Sequence, residues 1–252
     1  MPPVGLEPTA KEIRASITVA TNLQTAIGDV DIQASSSVAH QVEEYFQTTG
    51  RHGLRYQRQS SSESIDFVQL RVFDTDSINR AMEACIFGNS SRATGSPKEL
   101  RDQRNPIWRG DIPLPAFYFA AWIMYRVDSY FNRNKNDKTF AVRAARYHIA
   151  MITSAITIPK LKETFKSFST SSTDSTGTVQ RAIKDLKSIK VFSKNSDLSS
   201  QMSKTIESNI EKAIEMTMDY FKDILGDDDH LRKDHVRSKT VQNDLFDRID
   251  DV

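Results

Sequence analysis

Cysteine is nearly absent. Cys85 is the only one in 252 residues, which excludes an internal disulfide and any multi-cysteine zinc site. Glycine and proline are scarce, 9 and 8, so collagen-like and elastic chains are excluded. Neither sign of charge is in excess, since 34 Lys+Arg face 33 Asp+Glu. The chain as a whole therefore has no push toward nucleic acid, anionic membrane or acidic partners. Long apolar runs are missing too. The most apolar stretch covers residues 116–125 and closes at Arg126, about half of what a membrane span requires. It reads as a buried core helix, and no membrane partner is expected. The opening residues lack both a basic start and an apolar segment, so no secretory signal is read there. A cytoplasmic, reducing setting is the expectation. In that setting the sequon Asn89-Ser90-Ser91 carries no weight. No Gly-rich phosphate loop, G-x-S-x-G elbow or H-E-x-x-H motif occurs.

What is present is mostly helical pattern. Residues 11–22 carry a weak apolar stripe, and Asn22 suits the left-handed position after a helix. Residues 37–48 place Val38, Val42, Tyr45 and Phe46 at helical spacing before Thr49-Gly50. Residues 54–58 alternate apolar and polar, and 65–73 are rich in β-branched and aromatic side chains. Together, with the polar turn 60–64 between them, they predict a small β-hairpin. Asp76 is the expected cap of a helix over 77–87, with Gly88 as its stop. Ser96-Pro97-Lys98-Glu99 reads as a capping box with Pro in the first turn. Residues 114–131 are apolar on nearly every side, as a central helix is. One helix is expected over 138–157, ending before Pro159. Residues 169–178 are Ser/Thr-rich and read as linker. Beyond them, 178–192 form a basic amphipathic helix. A stripe from Met202 through Ile206, Ile210, Ile214 and Phe221 predicts a long helix.

The expected fold is therefore mainly α: a helical domain with one small β-hairpin, plus a C-terminal helical extension. The expected divisions are a start without selected structure over 1–10, a domain over 11–160, a linker over 161–178 and helices over 179–252. The opening Val4-Gly5-Leu6-Glu7-Pro8-Thr9 looks like translation through a conserved arm of a transfer-RNA gene. On that reading the frame begins at an insertion site. The alternative is an ordinary disordered terminus.

Chemistry-bearing residues are few. A metal-dependent nuclease needs carboxylates on a rigid element with a nearby Lys. The nearest match, Asp174 with Asp185-Leu186-Lys187, falls on a linker and a surface helix, so ordinary surface charge is the expected reading. His230 and His235 stand among Asp227, Asp228, Asp229 and Asp234, where a solvated loop is expected. His148 is expected to be a satisfied core residue, and Cys85 a buried inert thiol. No catalytic residue, metal or cofactor is assigned. Arg51, Arg55 and Arg58 flank Tyr56 on the first strand and could contact phosphate. An exposed hairpin face is the plainer account of them.

One longer pattern stands out. Ile17-Thr18-Val19-Ala20-Thr21-Asn22-Leu23-Gln24-Thr25 is followed by Ile27 and Asp29. A short acidic helix ending Glu44-Tyr45-Phe46 comes next, then Gly53-Leu54-Arg55-Tyr56-Gln57-Arg58. This order resembles the abortive-infection phage-resistance (AIPR) family of bacterial defence proteins. There an Ala-Thr-Asn-x-Gln segment precedes an Asp-rich turn, a helix and a Gly-x-x-Tyr-x-Arg strand. The likeness extends through Ala81, Ala84 and Phe87, the apolar helix 114–131, Arg146-Tyr147-His148, and weakly residues 238–249. Two departures matter. The Asn-Gly-Gly-Gln segment of larger members is missing, and the strand reads Tyr-Gln-Arg rather than Tyr-Glu-Arg.

The resemblance implies the C-terminal half of such a protein, whose partner would be a nuclease-like N-terminal portion or separate chain. It also implies a shared ligand or nucleic-acid site of Asn22, Gln24, Arg55, Tyr56 and Arg58. The expected function is a non-catalytic helical module, truncated relative to the larger members, of an antiphage abortive-infection protein. The alternative is a nucleic-acid-binding protein using the basic hairpin and helix 181–190.

Overall fold

The computed structural model describes residues 33–49, 53–58, 71–95, 100, 106–135, 137–169, 175–192, 205–223 and 231–251. Helix α1 spans Ser37–Thr49 and buries Val38, Val42 and Phe46. Strands β1 (Arg55–Tyr56) and β2 (Val72–Phe73) follow. They pair as expected, with Arg55 opposite Val72 and Tyr56 opposite Phe73, but they run parallel. A tight turn joins only antiparallel strands, and a parallel pair requires a crossover. The expected turn over 60–64 lies outside the described residues, as do 11–22 and the capping box at 96–99.

Helix α2 spans Thr75–Cys85. Its cap is Asp74, not Asp76: the Asp74 carboxylate accepts from the Ser77 N–H at 2.7 Å. Asp76 then sits in the first turn, where its charge favours the helix dipole. Gly88 closes the following corner at φ +70°, a conformation that only glycine adopts cheaply. Helix α3 is the short Ser90–Thr94. Helix α4, Leu114–Arg133, is buried continuously from Pro115 to Met124, as its all-round apolar pattern requires.

Residues 138–157 are not one helix. Lys138–Ala145 is a 3₁₀-helix opened by Asp137, whose carboxylate accepts from the Thr139 N–H at 2.8 Å. Helix α5, Arg146–Thr157, continues from it. Every residue from Tyr147 to Ala155 is buried, because α2, α3, α4 and the later α8 all pack on α5.

Helices α6 (Leu161–Ser169) and α7 (Ser175–Ser188) lie against each other. Most of the expected linker 161–178 is thus helical. Leu161, Thr164 and Phe165 repeat at helical spacing and are buried, and that stripe outweighs the Ser/Thr content beyond it. Helix α8, Ile206–Tyr220, buries Ile206, Ile210, Ala213, Ile214 and Thr217. Two short helices end the chain, α9 (Lys233–Val236) and α10 (Lys239–Asp247). The expected C-terminal helices are present, and core residues from Val38 to Ile249 form one cluster that includes them. Among the described residues no helix is long and apolar enough to cross a membrane.

Candidate functional site

Of the sequence-derived candidates, Arg55, Tyr56 and Arg58 lie among the described residues, and these three do not share one face. Asn22, Gln24 and Arg51 lie outside the described residues. Tyr56 is buried in the core, sharing a 3.1 Å hydrogen bond with the Thr75 hydroxyl and stacking on Trp108 at 5.7 Å. Burial raises its phenol well above the ordinary range, and the Thr75 bond only partly offsets this. Arg58 is half-buried and committed to partners within the fold. It donates to Glu43 at 2.6 Å, to the Ala34 carbonyl at 3.2 Å and to His40 Nε2 at 3.0 Å. Arg55 alone is exposed, on the opposite side of β1 from Tyr56.

The other flagged residues fall as follows. Asp174, His230 and Asp227 to Asp229 lie outside the described residues. On α7, Asp185 is half-buried, Leu186 buried and Lys187 exposed. His235 Nδ1 accepts from the Arg232 backbone N–H at 3.4 Å. Among the described residues no group of three His, Cys, Asp or Glu is placed to hold a metal ion. Cys85 is buried, and burial pushes its thiol up to about 12.

A different site emerges from residues far apart in the chain. A cleft of about 990 Å³ opens between α2, α3, the 3₁₀-helix and the segment around α9. Arg80 comes from α2, and Thr94 and Gly95 from the end of α3. Phe140, Ala141, Arg143 and Ala144 come from the 3₁₀-helix, and Arg146 and Tyr147 from the start of α5. Leu231, Arg232, Lys233 and Arg237 complete the lining. Six of these residues are cations and none is a carboxylate. The whole chain is nearly neutral, so this is a local segregation of charge.

Local structure explains the convergence. A 3₁₀-helix has three residues per turn, so side chains three apart eclipse. Phe140, Arg143 and Arg146 therefore project along one line. The Arg143 guanidinium lies over the Phe140 ring at 5.2 Å. Arg146 lies over Tyr147 at 4.9 Å and Arg80 over the same ring at 5.8 Å. Arg80 is further fixed by donating to the Ala93 carbonyl and, at 3.2 Å, to the Gly95 carbonyl. Arg146 donates to Asp128 at 3.3 Å and to the Tyr147 hydroxyl at 3.0 Å. Burial opposes the Arg146 charge, but Tyr147 and Asp128 more than offset it, and the net direction is up. Among the described residues no carboxylate forms an ion pair with Arg143, Arg232, Lys233 or Arg237.

The segment carrying three of these cations is pinned twice. The Leu231 N–H donates to the Ala141 carbonyl at 2.9 Å. Deeper in, His148 Nε2 lies 2.6 Å from the Val236 carbonyl, and its Nδ1 lies 2.7 Å from the Ser90 hydroxyl. A carbonyl only accepts, so Nε2 carries the proton and Nδ1 accepts from Ser90. The Ser–His pair is geometrically like a nucleophile and its base, yet both residues are fully buried. It serves instead as the tie that joins α3, α5 and α9 behind the cleft. Burial lowers His148 to about 4, so it is neutral.

No protein family, curated protein or solved structure matches the chain. Converging guanidinium and ammonium groups are chemically suited to an anion. Arg forks match phosphate oxygens two at a time.

Proposed function

We propose that the chain is a non-catalytic helical binding module for a phosphate-bearing ligand, working in the cytoplasm. One observation carries the reading: among the described residues, six cations and no carboxylate line a single cleft. The sequence resemblance to AIPR proteins supports a setting in bacterial antiphage abortive infection. In that setting the module senses or holds the ligand, and a nuclease-like portion or separate chain performs any cleavage. The test is equilibrium binding of labelled inorganic polyphosphate to the purified chain. Arg143→Gln combined with Arg232→Gln weakens binding by about tenfold or more at low salt, and the wild-type affinity falls steeply as salt rises. Equal binding by wild type and variant sinks the proposal.

A second reading keeps nucleic acid as the ligand on another surface. Arg181, Lys184, Lys187 and Lys190 are exposed along α7 and the turn after it, opposite the buried Ala182, Ile183 and Leu186. Such a basic helix face suits phosphate-backbone contact. Oligonucleotide binding that falls with Lys184→Gln and Lys187→Gln, and ignores the cleft variants, would favour it.

A further inference from the structure

Resting on the cleft reading above, we infer that the occupant is a compact ligand carrying three or more linked phosphates, such as a nucleoside polyphosphate, rather than a nucleic-acid strand. Size is the first argument. A cavity of about 990 Å³ lies at the upper end of the range for whole small molecules, roughly 300–1,000 Å³. Charge is the second. Arg143, Arg232, Lys233 and Arg237 have no carboxylate in ion-pair contact among the described residues. A chain of three phosphates, with a terminal group near −2, carries about that many opposite charges. These cations converge from two sides of one hollow, whereas a strand needs them strung along a groove.

The aromatic rings supply the third argument. Single-strand binders expose ring faces on which bases stack. Here Tyr147 is buried with guanidinium groups of Arg80 and Arg146 over its ring, and Phe140 carries Arg143. The rings orient the guanidinium groups and leave no stacking platform. Recognition therefore runs through phosphate oxygens. Arg80 and Arg146 are already fixed by their own hydrogen bonds, and the α9 segment is pinned at Leu231 and Val236. Little ordering remains to oppose binding.

Calorimetric titration of the full chain with sodium tripolyphosphate, ATP and a short oligothymidylate tests this. Tripolyphosphate and ATP are expected to saturate one site, at least about tenfold more tightly than oligothymidylate at near-physiological salt. Combining Arg143→Gln with Arg237→Gln removes that binding while the thermal melt stays close to wild type. ATP tighter than tripolyphosphate identifies a nucleoside polyphosphate; equal affinities identify the phosphate chain itself as the recognised group. Oligothymidylate binding more tightly than tripolyphosphate, and weakened by the same variants, overturns the compact ligand but leaves the anion cleft standing. No binding of any probe, or tripolyphosphate binding that ignores the variants, overturns both.

Discussion

Acidification should destabilise this protein through His148, and the magnitude follows from its surroundings. The imidazole is fully buried, with its two nitrogens committed to Val236 and Ser90. Burial holds its pKa at about 4, below the ordinary 6.5, although the Val236 bond pulls the other way. The unfolded chain therefore binds a proton at higher pH than the folded one. Above pH ~6.5 neither state is protonated there, and His148 imposes no penalty. As pH falls the unfolded state gains about 1.4 kcal/mol per pH unit. The penalty reaches about 3 kcal/mol and flattens once pH passes below the folded value.

The perturbation that isolates this effect is His148→Gln, which keeps an amide N–H for the Val236 carbonyl and cannot ionise. Glu83 and Asp128, whose pKa values burial raises, act in the opposite direction, favouring the folded state as pH falls. They are common to both proteins and cancel in the difference. Urea unfolding of both, at pH steps from 7.5 to 4.5, measures it. The wild type should lose about 2–3 kcal/mol relative to the variant over that range. Two curves falling in parallel would refute the tautomer and burial argument.

Three further outcomes follow from the fold. Gly88→Ala should cost about 3 kcal/mol, because φ is +70° and the new methyl would meet the Phe165 ring at 2.5 Å; an unchanged melting temperature would contradict it. Cys85 should resist iodoacetamide in the native chain and react at least about a hundredfold faster in urea, since the buried thiol at about 12 leaves almost no thiolate near pH 8. Arg92→Met should destabilise by about 1–3 kcal/mol near neutral pH, because the buried Glu83 loses its 3.4 Å ion pair and keeps only Asn89; that loss should shrink as pH falls, because burial raises the Glu83 pKa and the protonated acid no longer needs a cation.

Patterns that depend on one period were readable in the sequence. The continuous burial of α4 follows from an apolar face that closes on itself. The stripe Ile206, Ile210, Ile214 was a stripe of α8 in both sequence and structure. The burial of His148 and Cys85 followed from apolar neighbours at helical spacing. Start points were less legible: Asp74 and Asp76 are equally competent caps, and only packing chooses between them. The 3₁₀ turn at Lys138–Ala145 was missed because Phe140, Arg143 and Arg146 fit neither an α stripe nor a strand pattern. The parallel pairing of β1 and β2 was not legible because a period-2 pattern marks a strand without fixing the direction of its partner.

The cleft was invisible for a related reason. Its cations come from residues 80, 143, 146, 232, 233 and 237, and no window of the sequence brings them together. The one local hint was Arg232-Lys233 with Arg237. It stands next to the acidic run 227–229, which drew attention to metal chemistry instead. Conversely, Tyr56 and Arg58 drew attention as a motif, and the structure commits both to internal bonds.

Hydrogen exchange read by mass spectrometry, with and without tripolyphosphate, tests the central claim most directly, because it locates the ligand as well as detecting it. The account predicts added protection concentrated at residues 138–147 and 231–237, with none at 53–58 or 181–190. Protection at the β1 segment or along α7, with the cleft segments unchanged, would contradict it.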